Sequence, residues 1–447
     1  MSATPSTSDQ RQHRSVHMGR SALLMLVSRG VGLGASFATS IMTARALGAA
    51  GKGELALLLQ VPALLVALLS LGLSHSATYF VGQRRRTVGE SFSDAMFVIA
   101  GATAVGMPAA VLALRLIGSL APVGDRTFGL AALLIPLSLV TLVLGALLTA
   151  TGRVERLALR QAEGSLVGLA LIAVAMLTGN LSVRTAVWVS LATSVLSTLL
   201  LLLPLLRPLA DTIVRPSVAR IRETVGYSMK AHLSSLAGLL NRRQDVVLLG
   251  ILSSASEVGI YSVGVALSEL LWNIPSSIGV PLIARSMQSD EATGARVAAQ
   301  AGRVTALMMV AVTAGFAAVI HPLISLVYTE AFANAAWVYL LLVPGTIAYG
   351  LGTVLMNYLV AHGQLFPKAA VSVTVANLVL NLALIPFLGM YGAALASSVS
   401  YAGVGVYYSA VFLRHTGLGA SAVLLPRFSD VRAVLDSLRS AVPKARS

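Results

Sequence analysis

Twelve long apolar stretches run through this 447-residue chain, at 21–43, 55–80, 93–118, 129–150, 162–179, 184–206, 226–252, 257–284, 303–328, 333–361, 367–388 and 391–413. A helix crossing the hydrocarbon core of a bilayer takes about 17–25 such residues, more when tilted. That layer holds no water to bond an open backbone, so only helices and closed barrels can span it. The stretches are continuously apolar rather than alternating, which reads as helix and not as barrel strand. Composition agrees, with 56% hydrophobic and only 11% charged residues and a mean hydropathy of +0.83, where soluble domains sit near about 25% charged. The fold class expected is an all-α polytopic membrane protein with 12 transmembrane helices.

The basic residues give an independent test. Numbering segments from a cytoplasmic amino terminus, 24 of the 32 Lys and Arg fall in the seven segments that would face inward, and only Arg45, Lys52, Arg115, Arg126 and Arg184 fall outside or beside the outer loops. The positive-inside rule then places both termini in the cytoplasm, as an even helix number requires. It also accounts for the net charge of +15, which is expected to contact anionic lipid headgroups. No basic domain interleaved with aromatics is present, so nucleic acid is not an expected partner. The first helix has signal-peptide features, a basic start and Ala44-Arg45-Ala46 after the apolar run. Its length, and Arg29 within it, predict an uncleaved first span.

The longest hydrophilic interruption, 207–225, divides the chain into an amino-terminal six-helix lobe (21–206) and a carboxy-terminal one (226–414), flanked by a basic tail at 1–20 and a tail at 415–447. LGAAGKGELALLLQ (47–60) follows the first span as LSSASEVGIYSVGV (252–265) follows the seventh, with Gly53 matching Gly259. Six helices per lobe start both copies on one side, so a parallel pseudo-repeat is expected. Within the last tail, 431–442 spaces Val431, Val434, Leu435 and Leu438 as an interfacial amphipathic helix would, although a frayed basic tail fits equally.

Several chemistries have no residues to carry them. The chain has no cysteine, and its seven histidines lack metal-ligand spacing, so no metal or cofactor is expected. The outer loops are too short to house a catalytic domain, and no catalytic residue or enzyme activity is expected. What the spans do contain is charge, which costs roughly 2.5–3.5 kcal/mol at mid-bilayer on insertion scales and so tends to face a cavity or a partner. Arg29 lies nine residues into the first span, about 14 Å deep at 1.5 Å per residue, with Ser36 on its face and no acid within a turn. Helix seven carries Asn241-Arg242-Arg243-Gln244-Asp245. Spacing allows Arg242 or Asn241 to pair with Asp245, leaving Arg243 the less compensated. Glu269 lies mid-span as a structural carboxyl or an ion-coupling group, a role also open to Asp245. Asn377 and Asn381 stripe helix eleven, as interhelical bonds or as cavity lining alongside Ser36 and Asn241. Unpaired guanidinium groups suit phosphate and pyrophosphate, so an anionic cargo is expected.

Three stretches carry a resemblance: NRRQDVVLLGILSSASEVGIYSVGVALSELLWNIPSSIG (241–279), LVYTEAFANAAWVYLLLVPGTIAYGLGTVLMNYLVAHGQ (326–364) and VANLVLNLALIPFLGMYGAALASSVS (375–400), with ARALGAAGKGELAL (44–57) beside the first helix. These resemble the oligosaccharide (Wzx-like) flippases of the multidrug/oligosaccharidyl-lipid/polysaccharide exporter superfamily. The resemblance implies a flippase of the bacterial plasma membrane that moves undecaprenyl-pyrophosphate-linked oligosaccharide for cell-surface polysaccharide assembly by alternating access. It implies that Arg29, with Arg242 or Arg243, holds the pyrophosphate, and that a glycan polymerase complex is a candidate partner. The Arg-Asp pair that lipid II flippases carry shortly after Ser-Arg is missing after Ser28-Arg29, and there are twelve spans rather than fourteen, which argues against a peptidoglycan precursor. The alternative is a cation-coupled multidrug exporter of the same superfamily.

Overall fold

The computed structural model of the chain describes residues 7–121, 123–277, 290–364, 367–425, 427 and 430; the amphipathic stretch expected at 431–442 lies outside them. Among the described residues there are helices and turns and no strand. The chain forms two compact units, residues 1–233 and 234–447. The first contains α1 (Thr7–Leu69), α2 (Leu73–Gly82), α3 (Val88–Leu116), α4 (Asp125–Ala132), α5 (Leu134–Ala150), α6 (Val154–Leu177), α7 (Val183–Leu202), α8 (Leu206–Ala210) and the start of α9 (Val218–Leu252). The second holds the rest of α9, then α10 (Ala255–Leu270), α11 (Glu291–Ala317), α12 (Ile320–Val327), α13 (Ala335–Ala361), α14 (Pro367–Thr416) and α15 (Ser421–Leu424).

Among the described residues nine segments are long and apolar enough to cross a membrane. Two of them, Val27–Leu69 and Ala369–Thr416, turn at a glycine outside helical geometry, Gly48 at φ 68° and Gly389 at φ 55°, and so contain two helices each. The remaining crossing is α9, whose apolar course is interrupted by Arg242, Arg243 and Asp245. The twelve spans expected from sequence are all accounted for. The first span and the second, and the eleventh and twelfth, meet at a single residue, because glycine alone takes a positive φ without a Cβ penalty.

Each glycine turn is braced by one charged side chain. At Gly48, Lys52 Nζ donates to Thr43 Oγ1 (2.9 Å), Ser40 Oγ (3.2 Å) and the Ser40 carbonyl (3.4 Å), satisfying oxygens at the end of the preceding helix. At Gly389, Glu257 accepts from the Met390 backbone N–H (2.8 Å) and from Ser253 Oγ (2.8 Å), an anion on a newly started helix. Glu257 is itself in the first turn of α10, where Ser254 caps its amide.

The core of the first unit centres on α5, with Ile135, Leu139, Val143, Leu144, Leu147 and Leu148 wholly buried against α2, α3 and α7. In the second unit, Val354, Leu355, Tyr358 and Leu359 of α13 meet Ala298 and Ala299 of α11, Phe412 of α14 and Val423 of α15. The hydrophilic interruption at 207–225 is folded down onto the first unit. Asp94, buried on α3, accepts from Arg220 Nε (2.7 Å) and Nη2 (3.0 Å) and from the Ser217 amide (2.8 Å). Arg86 pairs with Glu223 and donates to Thr224 Oγ1 (2.6 Å). Helix α9 starts inside the expected linker, at residue 218, where Asp94 pairs with Arg220 and Arg86 with Glu223.

Candidate functional site

The first unit encloses a groove of about 830 Å³ between α1, α5, α6 and α7. Small residues open it: Gly145 on α5 and Gly164 and Gly168 on α6 line it with no side chain to fill it. Hydroxyls from every wall face it, from Ser36 and Thr39 on α1 through Ser138 and Thr141 on α5 to Thr193, Ser194 and Ser197 on α7. A second cavity of about 440 Å³ adjoins it, sharing Ser36, Leu157, Gln161 and Ser165, and is lined by Ser28, Arg29 and Gly32. Arg29 is exposed there, and no carboxylate among the described residues pairs with it. Arg160, in the larger cavity, is neutralised by Glu163 at 2.7 Å. The sequence-predicted Arg29 and Ser36 are thus brought to one continuous concavity whose uncompensated charge is Arg29.

The second unit sorts the charges of α9 differently from the spacing argument. Asp245 turns into the helix packing, 1% exposed, and is bound by Tyr261 Oη (2.5 Å), Ser397 Oγ (2.9 Å) and the Val246 amide (2.8 Å). Asn241 accepts from Ser400 Oγ (2.7 Å) rather than pairing with Asp245. The carboxylate on the neighbouring helix belongs instead to Arg243, whose Nη2 contacts Glu269 Oε1 (2.8 Å) and Oε2 (3.0 Å). This reverses the expected compensation: Arg243 is paired. Arg242 pairs with no carboxylate among the described residues and lies over the Trp272 ring, 5.7 Å from its centroid. Trp272, Tyr349 and Tyr401 form a cluster beside it, with ring centroids 5.6–5.8 Å apart. A cation over an aromatic face keeps its hydrogen-bond donors available to an anion.

Asn377 and Asn381 are wholly buried and line neither cavity of the first unit nor the small one beside Asn241. Gln244 Nε2 donates to Asn377 Oδ1 (2.7 Å), and Asn381 Nδ2 donates to the same oxygen (3.0 Å). They tie α9 to the bent helix α14. Asn241 does line a cavity, of about 60 Å³, with Tyr349, Tyr407 and Tyr408. The hydroxyls of α5 and α7 were not singled out from sequence, although the signal is there. Ser190, Thr193, Ser194, Ser197 and Thr198 recur at three- and four-residue spacing on an otherwise apolar span, a polar stripe on one helix face.

Residues 18–287 match the family described as polysaccharide biosynthesis protein. The chain belongs to that family. A probable low-salt glycan biosynthesis flippase, Agl15 of Haloferax volcanii, is 26% identical over 204 residues, covering 44% of this chain. The match spans 43% of the length of that relative. Among solved structures, the lipid II flippase MurJ in an inward closed conformation superposes with a TM-score of 0.73 at 12% identity, covering 94% of this chain and 93% of that one. An inward-facing multidrug resistance MATE family transporter of the MOP superfamily gives 0.61 at 15% identity, over 88% and 94%. A MOP superfamily transporter from Pyrococcus furiosus gives 0.56 at 16%, over 89% and 95%. At such identities the likeness is one of fold. The Wzx-like resemblance read from the three sequence stretches stands, and this family member is a multi-pass protein of the plasma membrane.

Proposed function

We propose that the chain is a flippase for lipid-linked glycans, not an enzyme, and that its cargo is an oligosaccharide on undecaprenyl pyrophosphate carried outward by alternating access. The observation that carries this reading is Arg29, a cation paired with no carboxylate among the described residues and opening onto a hydroxyl-lined concavity wide enough for a sugar. A guanidinium recognises phosphate oxygens through paired hydrogen bonds, and the adjoining hydroxyls offer the sugar its own partners. Arg242, with its donors uncommitted to any described carboxylate, is the corresponding group of the second unit, and Arg243 stands beside it held by Glu269. The bias of basic residues along the chain puts both termini in the cytoplasm. A coupling ion, where one is used, is assigned to Glu269, since Asp245 is sealed by three donors; transport unchanged when proton and sodium gradients are collapsed would dismiss that assignment.

The multidrug-exporter alternative needs an acid open to a cationic drug. The acids of the seventh and eighth spans are engaged, Asp245 by Tyr261 and Ser397, Glu257 by Ser253 and the Met390 amide, and Glu269 by Arg243, so the flippase reading is preferred. Proteoliposomes carrying a fluorescent short-chain polyprenyl-diphosphate glycan test it. Wild type should expose inner-leaflet label to an external quencher, and Arg29→Ala should leave that label protected. Equal protection with wild type and with empty liposomes would defeat the proposal.

A further inference from the structure

We infer that the groove of the first unit receives the glycan and selects neutral, hydroxyl-rich sugars over acidic ones; this rests on the flippase reading above. The protons of the groove's hydroxyls are mostly spoken for. A hydroxyl has one proton to donate and two lone pairs to accept with. Thr39 gives its proton to the Ala35 carbonyl (2.8 Å), Thr149 to Gly145 (2.9 Å), Ser165 to Gln161 (3.1 Å), Thr193 to Val189 (2.9 Å) and Ser194 to Ser190 (2.8 Å). Thr198 gives its own to the Ser194 carbonyl (2.8 Å), so in the 2.8 Å bond between Thr141 and Thr198 it is Thr141 that donates. Six of the nine hydroxyls lining the groove therefore face it as acceptors, while Ser36, Ser138 and Ser197, bonded to nothing among the described residues, and the Gln161 amide keep a proton to give.

An acceptor-rich wall binds donors. Sugar hydroxyls and acetamido N–H groups are donors without charge, and Leu142, Leu157 and Leu201 between the hydroxyls offer aliphatic surface to a pyranose ring. An ionised carboxylate is acceptor-only, so at the six committed hydroxyls, two-thirds of the wall's nine, a uronate would meet lone pairs with lone pairs. A cation would be satisfied by the same oxygens, but the groove's own charges disfavour it. Arg29 stands in the adjoining cavity with no carboxylate among the described residues beside it, and Arg160 already holds the nearby carboxylate, Glu163. Ser36 joins the two cavities and lies seven residues along α1 from Arg29, about 10 Å at the helical rise. A diphosphate at Arg29 would thus present its attached sugar to the hydroxyls.

The test uses the full-length protein in lipid nanodiscs with three probes: farnesyl diphosphate, and farnesyl diphosphate bearing N-acetylglucosamine or glucuronate, with affinities read by microscale thermophoresis. N-acetylglucosamine should tighten binding about tenfold over the bare diphosphate, the yield of one or two hydrogen bonds. Glucuronate should bind no better than the bare diphosphate, even though its extra charge is attracted to Arg29. Ser194→Ala and, separately, Thr141→Val should remove most of the gain from the sugar while leaving farnesyl diphosphate unchanged, which also reports that each variant is folded. Arg29→Ala should weaken all three probes alike. Equal binding of all three probes, the behaviour of a groove that holds a lipid chain, overturns the inference and leaves the flippase reading standing. Tighter binding of glucuronate overturns the inference as well. Binding of none of the three overturns both.

Discussion

Replacing Asp430 by alanine should release the chain's last described segment from the second unit. Asp430 is wholly buried and accepts from Arg303 Nε (2.6 Å) and Nη2 (3.2 Å) and from the Arg427 amide (2.8 Å). Arg303 is 6% exposed and also donates to the Ala422 carbonyl. Deleting one member of a buried pair costs about 3–5 kcal/mol, because the other charge stays desolvated. At 1.4 kcal/mol per factor of ten, that is about two to three and a half orders of magnitude in an equilibrium. Arg303 can regain water if residues 417–425 lift away with Asp430, so the loss should fall on that local opening and not on the whole bundle. Hydrogen exchange in nanodiscs reads it directly: amides of Ala422 and Val423 should exchange faster by that factor in Asp430→Ala, with α13 unaffected. The apolar double variant Arg303→Met/Asp430→Leu should restore protection, since neither charge then needs a partner. Acid should act in the same direction. Burial alone would raise the Asp430 carboxyl, but the bonds from Arg303 and from the Arg427 amide more than offset it and hold it below its ordinary value of 3.8. A depressed carboxylate stabilises the docked form above that ordinary value, and the contribution fades as pH falls through the lower, folded one. Exchange in Asp430→Ala indistinguishable from wild type would refute the reasoning.

Two further substitutions probe the helix turns and the buried carboxylate. Gly389→Ala should lower the thermal stability of the detergent-solubilised protein by about 1–2 kcal/mol for the left-handed backbone, and more because the new Cβ meets the Glu257 carboxylate. Gly403→Ala, on the same helix with open space around it, should instead be neutral or stabilising by up to about 1 kcal/mol; equal losses at the two positions would show that the turn at Gly389 does not depend on glycine. Tyr261→Phe should destabilise by about 1–3 kcal/mol by taking one donor from a buried acid. Combined with Ser397→Ala, the loss should depart from additivity, since both hydroxyls bond the same oxygen; strict additivity would contradict that shared site.

The crossings were legible because the bilayer allows one solution to a long apolar run, and the positions of Arg29 and Ser36 followed from the period of a single helix. The turns at Gly48 and Gly389 were readable as places where spans end, but not as bends of one residue, because a lone glycine in a membrane helix is common. The partners of α9 were not legible. Spacing along a helix offers Arg242 to Asp245, whereas the folded chain turns Asp245 towards Tyr261 and Ser397, 16 and 152 residues away, and leaves Glu269 to Arg243. Which face of a helix is buried is decided by its neighbours, and no local rule contains them. The interruption at 207–225 misled for a related reason. Its Arg220 and Glu223 read as solvated until Asp94 and Arg86 are brought beside them.

The central claim is that Arg29 serves the passage of a lipid-linked glycan between leaflets. Leaflet-specific labelling of that glycan, in cells lacking the chain and complemented with wild type or Arg29→Ala, tests it most directly. The account predicts accumulation on the cytoplasmic face that wild type relieves and Arg29→Ala does not. A distribution unchanged by loss of the chain, or relieved equally by both, would contradict it.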